Sequence, residues 1–269
     1  MAIGALLLCA KRGYLRIDAL SHSPQRDIGL TLIDVVIALG LMIVGGSATN
    51  LLLLSWIGAN EAGGLALHTP MHIASANLLG QLLAQGAPAG YLLWKATRTS
   101  GGLRRLGVWP PRSWAAGVLG LLVALSMVMS VMIATAMIGL ALGDPTPKVG
   151  HALLQTLQDS NSVWVTGLLV FSAVGLAPVL EELIYRGLLQ TSLSAASGWR
   201  LRWAAIGFTS LGFAAMHSSV PWQALPALFV LSVILGWLYE RTGSLWPNVL
   251  VHMGFNAFNM AMALAMAPG

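Results

Sequence analysis

The sequence predicts an all-α fold: a polytopic transmembrane helical bundle of about seven to eight spans. Two observations carry that reading. Of 269 residues, 57% are hydrophobic and 9% are charged, where a soluble domain carries about 25% charged residues; the mean hydropathy is +0.77. The stretches 35–60, 62–94, 113–143, 160–180, 203–239 and 242–269 contain no Asp, Glu, Lys or Arg. A helical span needs about 20 apolar residues. These runs lack period-2 alternation and exceed the roughly 10 residues of a barrel strand, which argues against a β-barrel.

The elements follow in order from those runs. Spans are expected at 28–58, 71–95, 113–143, 163–180 running on toward 197, 203–218, 222–240 and 246–266. The first is long, so it tilts or begins as an interfacial helix. It carries Asp34 near its start, where the helix dipole favours an anion. Small residues at 45–48 and 86–90 suit close helix packing. Pro110-Pro111 closes the connector before the third span. Asp144-Pro145-Thr146-Pro147 ends that span, because proline cannot continue a helix. Pro178 is expected to loosen the fourth helix and free backbone groups there. The final three spans are separated by connectors at about 219–221 and 241–245. No repeat with a period of 20–50 residues and no soluble domain stands out.

The net charge is +5 and the pI about 9.9. The basic residues lie in short runs between hydrophobic segments, as topology signals do, and no aromatic-basic platform for nucleic acid is present. Lys11, Arg12, Arg16 and Arg26 precede the first span; Lys95, Arg98, Arg104, Arg105 and Arg112 follow the second; Arg200, Arg202 and Arg241 come later. The opposite side has only Lys148. The positive-inside rule puts the N-terminus in the cytoplasm and the C-terminus outside. One cysteine, Cys9, excludes an intrachain disulfide framework and a cysteine zinc cluster. Leu6-Leu7-Leu8-Cys9 faintly resembles a lipoprotein cleavage box, but its apolar part is short and no basic residue precedes it. Residues 1–27 therefore read as an ordinary cytoplasmic tail.

Three polar clusters interrupt the last third. The first is Glu181-Glu182-Leu183-Ile184-Tyr185-Arg186. Ionisable residues in hydrocarbon cost about 2.5–3.5 kcal/mol each on insertion scales, so each needs a partner, water or a ligand. Glu182 and Arg186 are four apart and face each other, which reads as a packing ion pair. Glu181 is turned about 100° away and has no local partner, which reads as a working carboxylate suited to general base chemistry. The second cluster is Phe213-Ala214-Ala215-Met216-His217. Glu181 lies about 18 residues before the 198–202 connector and His217 about 16 after it, so an antiparallel helix pair brings both to the same depth, about 25 Å from the turn. Phe213 can pack beneath the imidazole. The third is His252-Met253-Gly254-Phe255-Asn256. His252 and Asn256 share a helix face and can donate hydrogen bonds to a developing oxyanion; Asn259 extends that face. The structural alternatives are a helix cap for His217 and interhelical hydrogen bonding for His252 and Asn256. His22, His68, His72 and His151 have loop or span-end positions and read as incidental.

These residues resemble the CPBP family, also called the CAAX protease and bacteriocin-processing or Abi family, whose members are intramembrane endopeptidases. Its pattern stands here as Glu181-Glu182-x-x-x-Arg186, Phe213-x-x-x-His217 and His252-x-x-x-Asn256. The resemblance covers about 163–260 and implies that Glu181 activates a water with help from His217. It implies that His252 and Asn256 stabilise the oxyanion, and that Glu182 and Arg186 hold the first motif in place. The chain then divides into a tail at 1–27, scaffold helices at 28–162 and catalytic helices at 163–269. No cofactor is required in the favoured reading. If a zinc is used, Glu181, His217 and His252 would supply the three ligands of a catalytic site, and Glu181 would then not be free as base. The expected partners are the lipid bilayer and a membrane-associated peptide or protein, with a bacterial inner membrane as the location. Two other classes compete: a proton-coupled transporter, for which polar residues confined to one half argue poorly, and a noncatalytic immunity or scaffold protein, which has no need of an unpaired carboxylate.

Overall fold

The computed structural model describes residues 4, 11, 16–21, 23–62, 70–144, 156–157, 160 and 162–265. Cys9, His22, His68, Lys148 and His151 lie outside the described residues. Among the described residues every long element is a helix and none is a strand. Seven helical runs correspond to the seven expected spans. They are α1 (Leu32–Ala62), α2 (residues 70–97), α3 (Trp114–Ala141), α4 (Val163–Ala196), α5 (Arg202–Met216), α6 (Leu225–Thr242) and α7 (Trp246–Ala265). Four stretches are long and apolar enough to cross a membrane by length and composition: Leu32–Leu52, Trp114–Ala141, Val163–Ala196 and Trp222–Thr242. α5 is the shortest run, with 15 residues. That is about 22 Å of helix, less than the roughly 30 Å hydrocarbon layer.

The large apolar side chains left outside confirm an integral membrane protein. Ile33, Val36, Ile43 and Val44 on α1 and Leu119, Leu122 and Ile133 on α3 are each more than 60% exposed. Such a surface would aggregate in water and costs nothing against lipid. Inside, one apolar cluster joins α2, α4 and α6 through Leu92, Leu183, Leu188 and Tyr239. A second joins α3, α6 and α7 through Val128, Leu235, Val251 and Phe255.

Local chemistry fixes the starts and close approaches. Asp34 makes the return half of a capping box at the head of α1: its Oδ2 accepts the Thr31 backbone N–H at 2.6 Å and the Thr31 hydroxyl at 2.9 Å. The dipole argument for Asp34 thus holds, and α2 adds two donors to its Oδ1, the Tyr91 hydroxyl and the Lys95 ammonium, each at 2.5 Å. A methyl on Gly45 would sit 2.2 Å from the Leu83 carbonyl oxygen, so this glycine lets α1 touch the backbone of α2. Gly46 and Gly90 meet nothing within 4 Å; of the small residues expected to pack, Gly45 and the buried Ala89 do so.

The residues just ahead of α1 are strapped to the bundle. Arg26 and Arg202 each pair with the buried Glu240 at 2.5 Å, and Gln190 donates to the same carboxylate at 2.8 Å. Arg202 also donates to the Ser23 and Pro24 carbonyls at 2.8 and 3.2 Å. This ties the end of the expected tail to α4, α5 and α6.

Candidate active site

α4 is not a uniform α-helix. Two π-helical segments, Phe171–Leu176 and Leu183–Gln190, flank the α-helical segment Ala177–Glu182. A π turn shifts the hydrogen-bond ladder by one residue, and Pro178 contributes no N–H to it. The carbonyl of Ala173 thereby accepts a hydrogen bond from another helix, donated by Asn256 Nδ2 at 2.8 Å. Freed backbone upstream of the glutamates is what Pro178 led the sequence to predict.

The two adjacent glutamates have opposite surroundings. Glu182 is fully buried and saturated. It pairs with Arg186 Nε at 3.2 Å, both side chains being 0% exposed. It also meets His252 Nδ1 at 3.0 Å and accepts Asn248 Nδ2 at 3.3 Å. Arg186 in turn donates to the Ser232 carbonyl and hydroxyl at 3.1 Å, and its guanidinium stands 5.6 Å from the Phe213 ring centre. The Glu182–Arg186 pair thus links α4 to α7 through the carboxylate and to α6 through the guanidinium. Glu181 is also buried, with its side chain 11% exposed, yet its Oε2 accepts no hydrogen bond from the protein. Its one ion-pair contact among the described residues is with His252 Nε2, at 3.8 Å. That is beyond hydrogen-bond distance.

The imidazoles are held by their Nδ1 atoms. Beside a carboxylate already paired with arginine, His252 Nδ1 carries the proton, and a neutral ring then keeps its lone pair at Nε2, toward Glu181. His217 Nδ1 lies 2.8 Å from the Phe213 carbonyl, so it too donates there and leaves Nε2 free. Phe213, 0% exposed, separates the two rings. Its ring centre is 4.5 Å from that of His217 and 5.7 Å from that of His252. Tyr185 packs edge-on against Phe213 at 5.1 Å. Position 213 therefore packs beside 185, and His217 follows one turn later at the C-terminal end of α5, which it caps. No hydrogen bond or ion pair joins it to Glu181 among the described residues.

Asn256 is one turn beyond His252, partly buried, with one amide proton spent on Ala173. Asn259 donates to the Phe255 carbonyl of its own helix at 3.1 Å and does not extend the cluster. Sequence reasoning missed the Glu182–His252 contact and Asn248. Asn248 was readable: it stands four residues before His252 on the face that bears Asn256.

The donor types of Glu181, His217 and His252, with both Nδ1 atoms tied, are those a zinc site uses. Their placement does not fit one. Among the described residues no three His, Cys, Asp or Glu side chains gather as a metal-holding group, and no chemical step is routed through a metal below.

Residues 162–258 match the family model described as type II CAAX prenyl endopeptidase Rce1-like. All seven motif residues fall within that stretch, as the resemblance implied. No curated protein and no solved structure matches the chain.

Proposed function

Because residues 162–258 belong to the Rce1-like family of type II CAAX prenyl endopeptidases, we propose that this chain is an intramembrane endopeptidase with Glu181 as its general base. The observation that carries the reading is the contrast between neighbours. Glu182 has every donor it can use, whereas the buried Oε2 of Glu181 has none and faces His252 across 3.8 Å. A water lying there donates one proton toward Glu181 and the other toward an imidazole Nε2. Glu181 takes a proton as the water oxygen attacks the scissile carbonyl carbon, and the carbonyl electron pair moves onto oxygen. The remaining amide proton of Asn256 donates to that oxyanion. His252 joins it only as imidazolium, since its neutral ring holds Nδ1–H on Glu182 and has no proton at Nε2. When the C–N bond breaks, Glu181 returns its proton to the departing amine, and the proton left on the attacking oxygen then passes to that amine, leaving a carboxylate and an ammonium group.

The substrate is a membrane-associated peptide or protein, and the basic connectors support a cytoplasmic N-terminus. The test is cleavage of a quenched-fluorescent peptide ending in a prenylated Cys-aliphatic-aliphatic-X sequence, alongside a membrane-proteome comparison for uncut precursors. Glu181→Gln and His217→Ala in proteoliposomes are expected to lose cleavage while remaining folded. Wild-type rates in both variants overturn the assignment. Cleavage is expected to survive a strong chelator; loss that added zinc restores would make Glu181, His217 and His252 ligands instead.

A further inference from the structure

The connector between α4 and α5 walls a cavity of about 500 Å³. The apolar stretch of α4 that is long enough to cross a membrane ends at Ala196. The cavity's Trp199, Arg200, Arg202, Trp203 and Ala204 follow it directly. They sit where a span meets the membrane interface, the level that tryptophan favours. Trp199 adopts a left-handed φ of 65°, uncommon for a bulky residue. Its ring stands 5.7 Å from the Arg26 guanidinium and 5.0 Å from that of Arg202.

The cavity is cationic and has unused donors. Arg26 and Arg202 share the single carboxylate of Glu240, which leaves one positive charge in excess. Arg202 lines the cavity and is 3% exposed, yet its Nε has no hydrogen-bond partner. The exposed guanidinium of Arg200 has no partner among the described residues. The same holds for the backbone N–H groups of Arg202, Trp203 and Ala204 in the first turn of the 15-residue α5, where the first bond runs from the Ala205 N–H to the Leu201 carbonyl. Free N–H groups at a helix start favour an anion. The acid that lines the cavity, Asp18, already meets Arg16 Nε at 3.1 Å.

The cavity also adjoins an apolar outer surface. Ala204, Phe208, Leu211 and Ala215 recur at helical spacing on one exposed face of α5, with Phe208 67% and Leu211 58% exposed. This stripe begins at the cavity and runs along the outside of the bundle.

We propose that this cavity binds the phosphate of an anionic membrane phospholipid, whose acyl chains lie along Ala204, Phe208 and Leu211. Arg200, Arg202 Nε and the first N–H groups of α5 supply the donors. The excess charge of the Arg26, Glu240 and Arg202 group selects a net negative headgroup over a zwitterionic one, as basic pockets at the cytoplasmic ends of spans do. The apolar stripe distinguishes a lipid phosphate from a free one, because a soluble phosphate leaves it uncovered.

The test is a binding titration by native mass spectrometry on the purified full chain in a neutral detergent. The probes are phosphatidylglycerol, phosphatidylcholine and glycerol phosphate. Phosphatidylglycerol is expected to bind at least about 10-fold more tightly than phosphatidylcholine. Arg200→Ala should weaken it about 10-fold, the worth of one charge-assisted hydrogen bond, with the lipid-free unfolding midpoint unchanged. Ala204→Trp, on the exposed face at the cavity, should weaken it as much by filling the space. Arg104→Ala removes the same charge from the exposed connector after α2 and should change binding less than about 2-fold. Equal binding of the two lipids overturns the proposal. An Arg104→Ala loss as large as that of Arg200→Ala also overturns it, because the attraction then belongs to the whole basic face. Unchanged binding in both Arg200→Ala and Ala204→Trp places the lipid elsewhere. Glycerol phosphate bound as tightly as the lipid makes the site one for a soluble phosphate and overturns the lipid assignment. No cleavage is measured, so the outcome is independent of the endopeptidase reading.

Discussion

Replacing each of the two adjacent glutamates should separate stability from activity. Glu182→Ala leaves Arg186, 0% exposed, with a buried charge and no carboxylate. It also removes the acceptor that holds His252 Nδ1 at 3.0 Å. Removing one partner of a buried pair costs about 3–5 kcal/mol, a large share of a typical domain's roughly 5–15 kcal/mol. Glu181→Gln removes a buried carboxylate oxygen that accepts nothing and gives up only the 3.8 Å contact with His252. Its effect on stability should fall within about 1 kcal/mol of zero, and a gain is the more natural sign, since an unpartnered buried charge is costly. Its effect on cleavage should be about 10²- to 10⁴-fold, the worth of a positioned general base. The assay is reversible unfolding in mixed micelles followed by the fluorescence of the chain's 10 tryptophans, with peptide cleavage measured on the same preparations. Glu181→Gln unfolding as readily as Glu182→Ala would refute the division of roles. So would a Glu182→Ala protein as stable as wild type.

Two further pairs test the scaffold. Gly45→Ala drives a methyl to 2.2 Å from the Leu83 carbonyl and must part α1 from α2, costing about 1–3 kcal/mol. Gly46→Ala meets nothing and should be neutral or stabilising by up to about 1 kcal/mol, read by the same unfolding assay. Glu240→Ala leaves the Arg26 and Arg202 guanidinium groups facing each other, 1% and 4% exposed, at about 3–5 kcal/mol. Arg26→Ala leaves Glu240 with Arg202 and Gln190 and should cost clearly less. The opposite order in unfolding midpoints would show that the carboxylate is not the hub.

What the sequence made legible is what lies within one helix turn or can be counted along one hairpin. Glu182 facing Arg186 follows from a spacing of four, and Glu181 turning away follows from the helix period. Phe213 beneath His217 also follows from a spacing of four. His217 at the depth of Glu181 is expected from equal distances to the connector, and what the structure shows of that helix pair is Tyr185 packed on Phe213. The contacts that escaped join residues far apart in the chain. Glu182 reaches His252 across 70 positions and Asp34 reaches Lys95 across 61. Arg26 looked like tail charge because its partner Glu240 is 214 residues away. Periodicity cannot report a carboxylate's second partner, nor the π segments that release the Ala173 carbonyl for Asn256.

The polar face of α7 explains how the site keeps its alignment. Asn248, His252 and Asn256 recur every four residues and span eight positions, about 12 Å of helix. They meet α4 at Glu182, then at Glu181 and Glu182 together, then at the Ala173 carbonyl. Those positions on α4 span nine residues, about 13 Å. Two antiparallel helices therefore present polar groups over matching lengths, and they can be satisfied in one register only. Sliding α7 by one turn would leave Glu182 without His252, strand the Ala173 carbonyl and move the imidazole away from Glu181. Each loss leaves a polar group unpaired in an apolar interior, at about 1–3 kcal/mol per group. The saturation of Glu182 is thus what holds His252 Nε2 toward Glu181, and the buried bonds of one carboxylate keep its neighbour in a fixed position with its oxygen unoccupied.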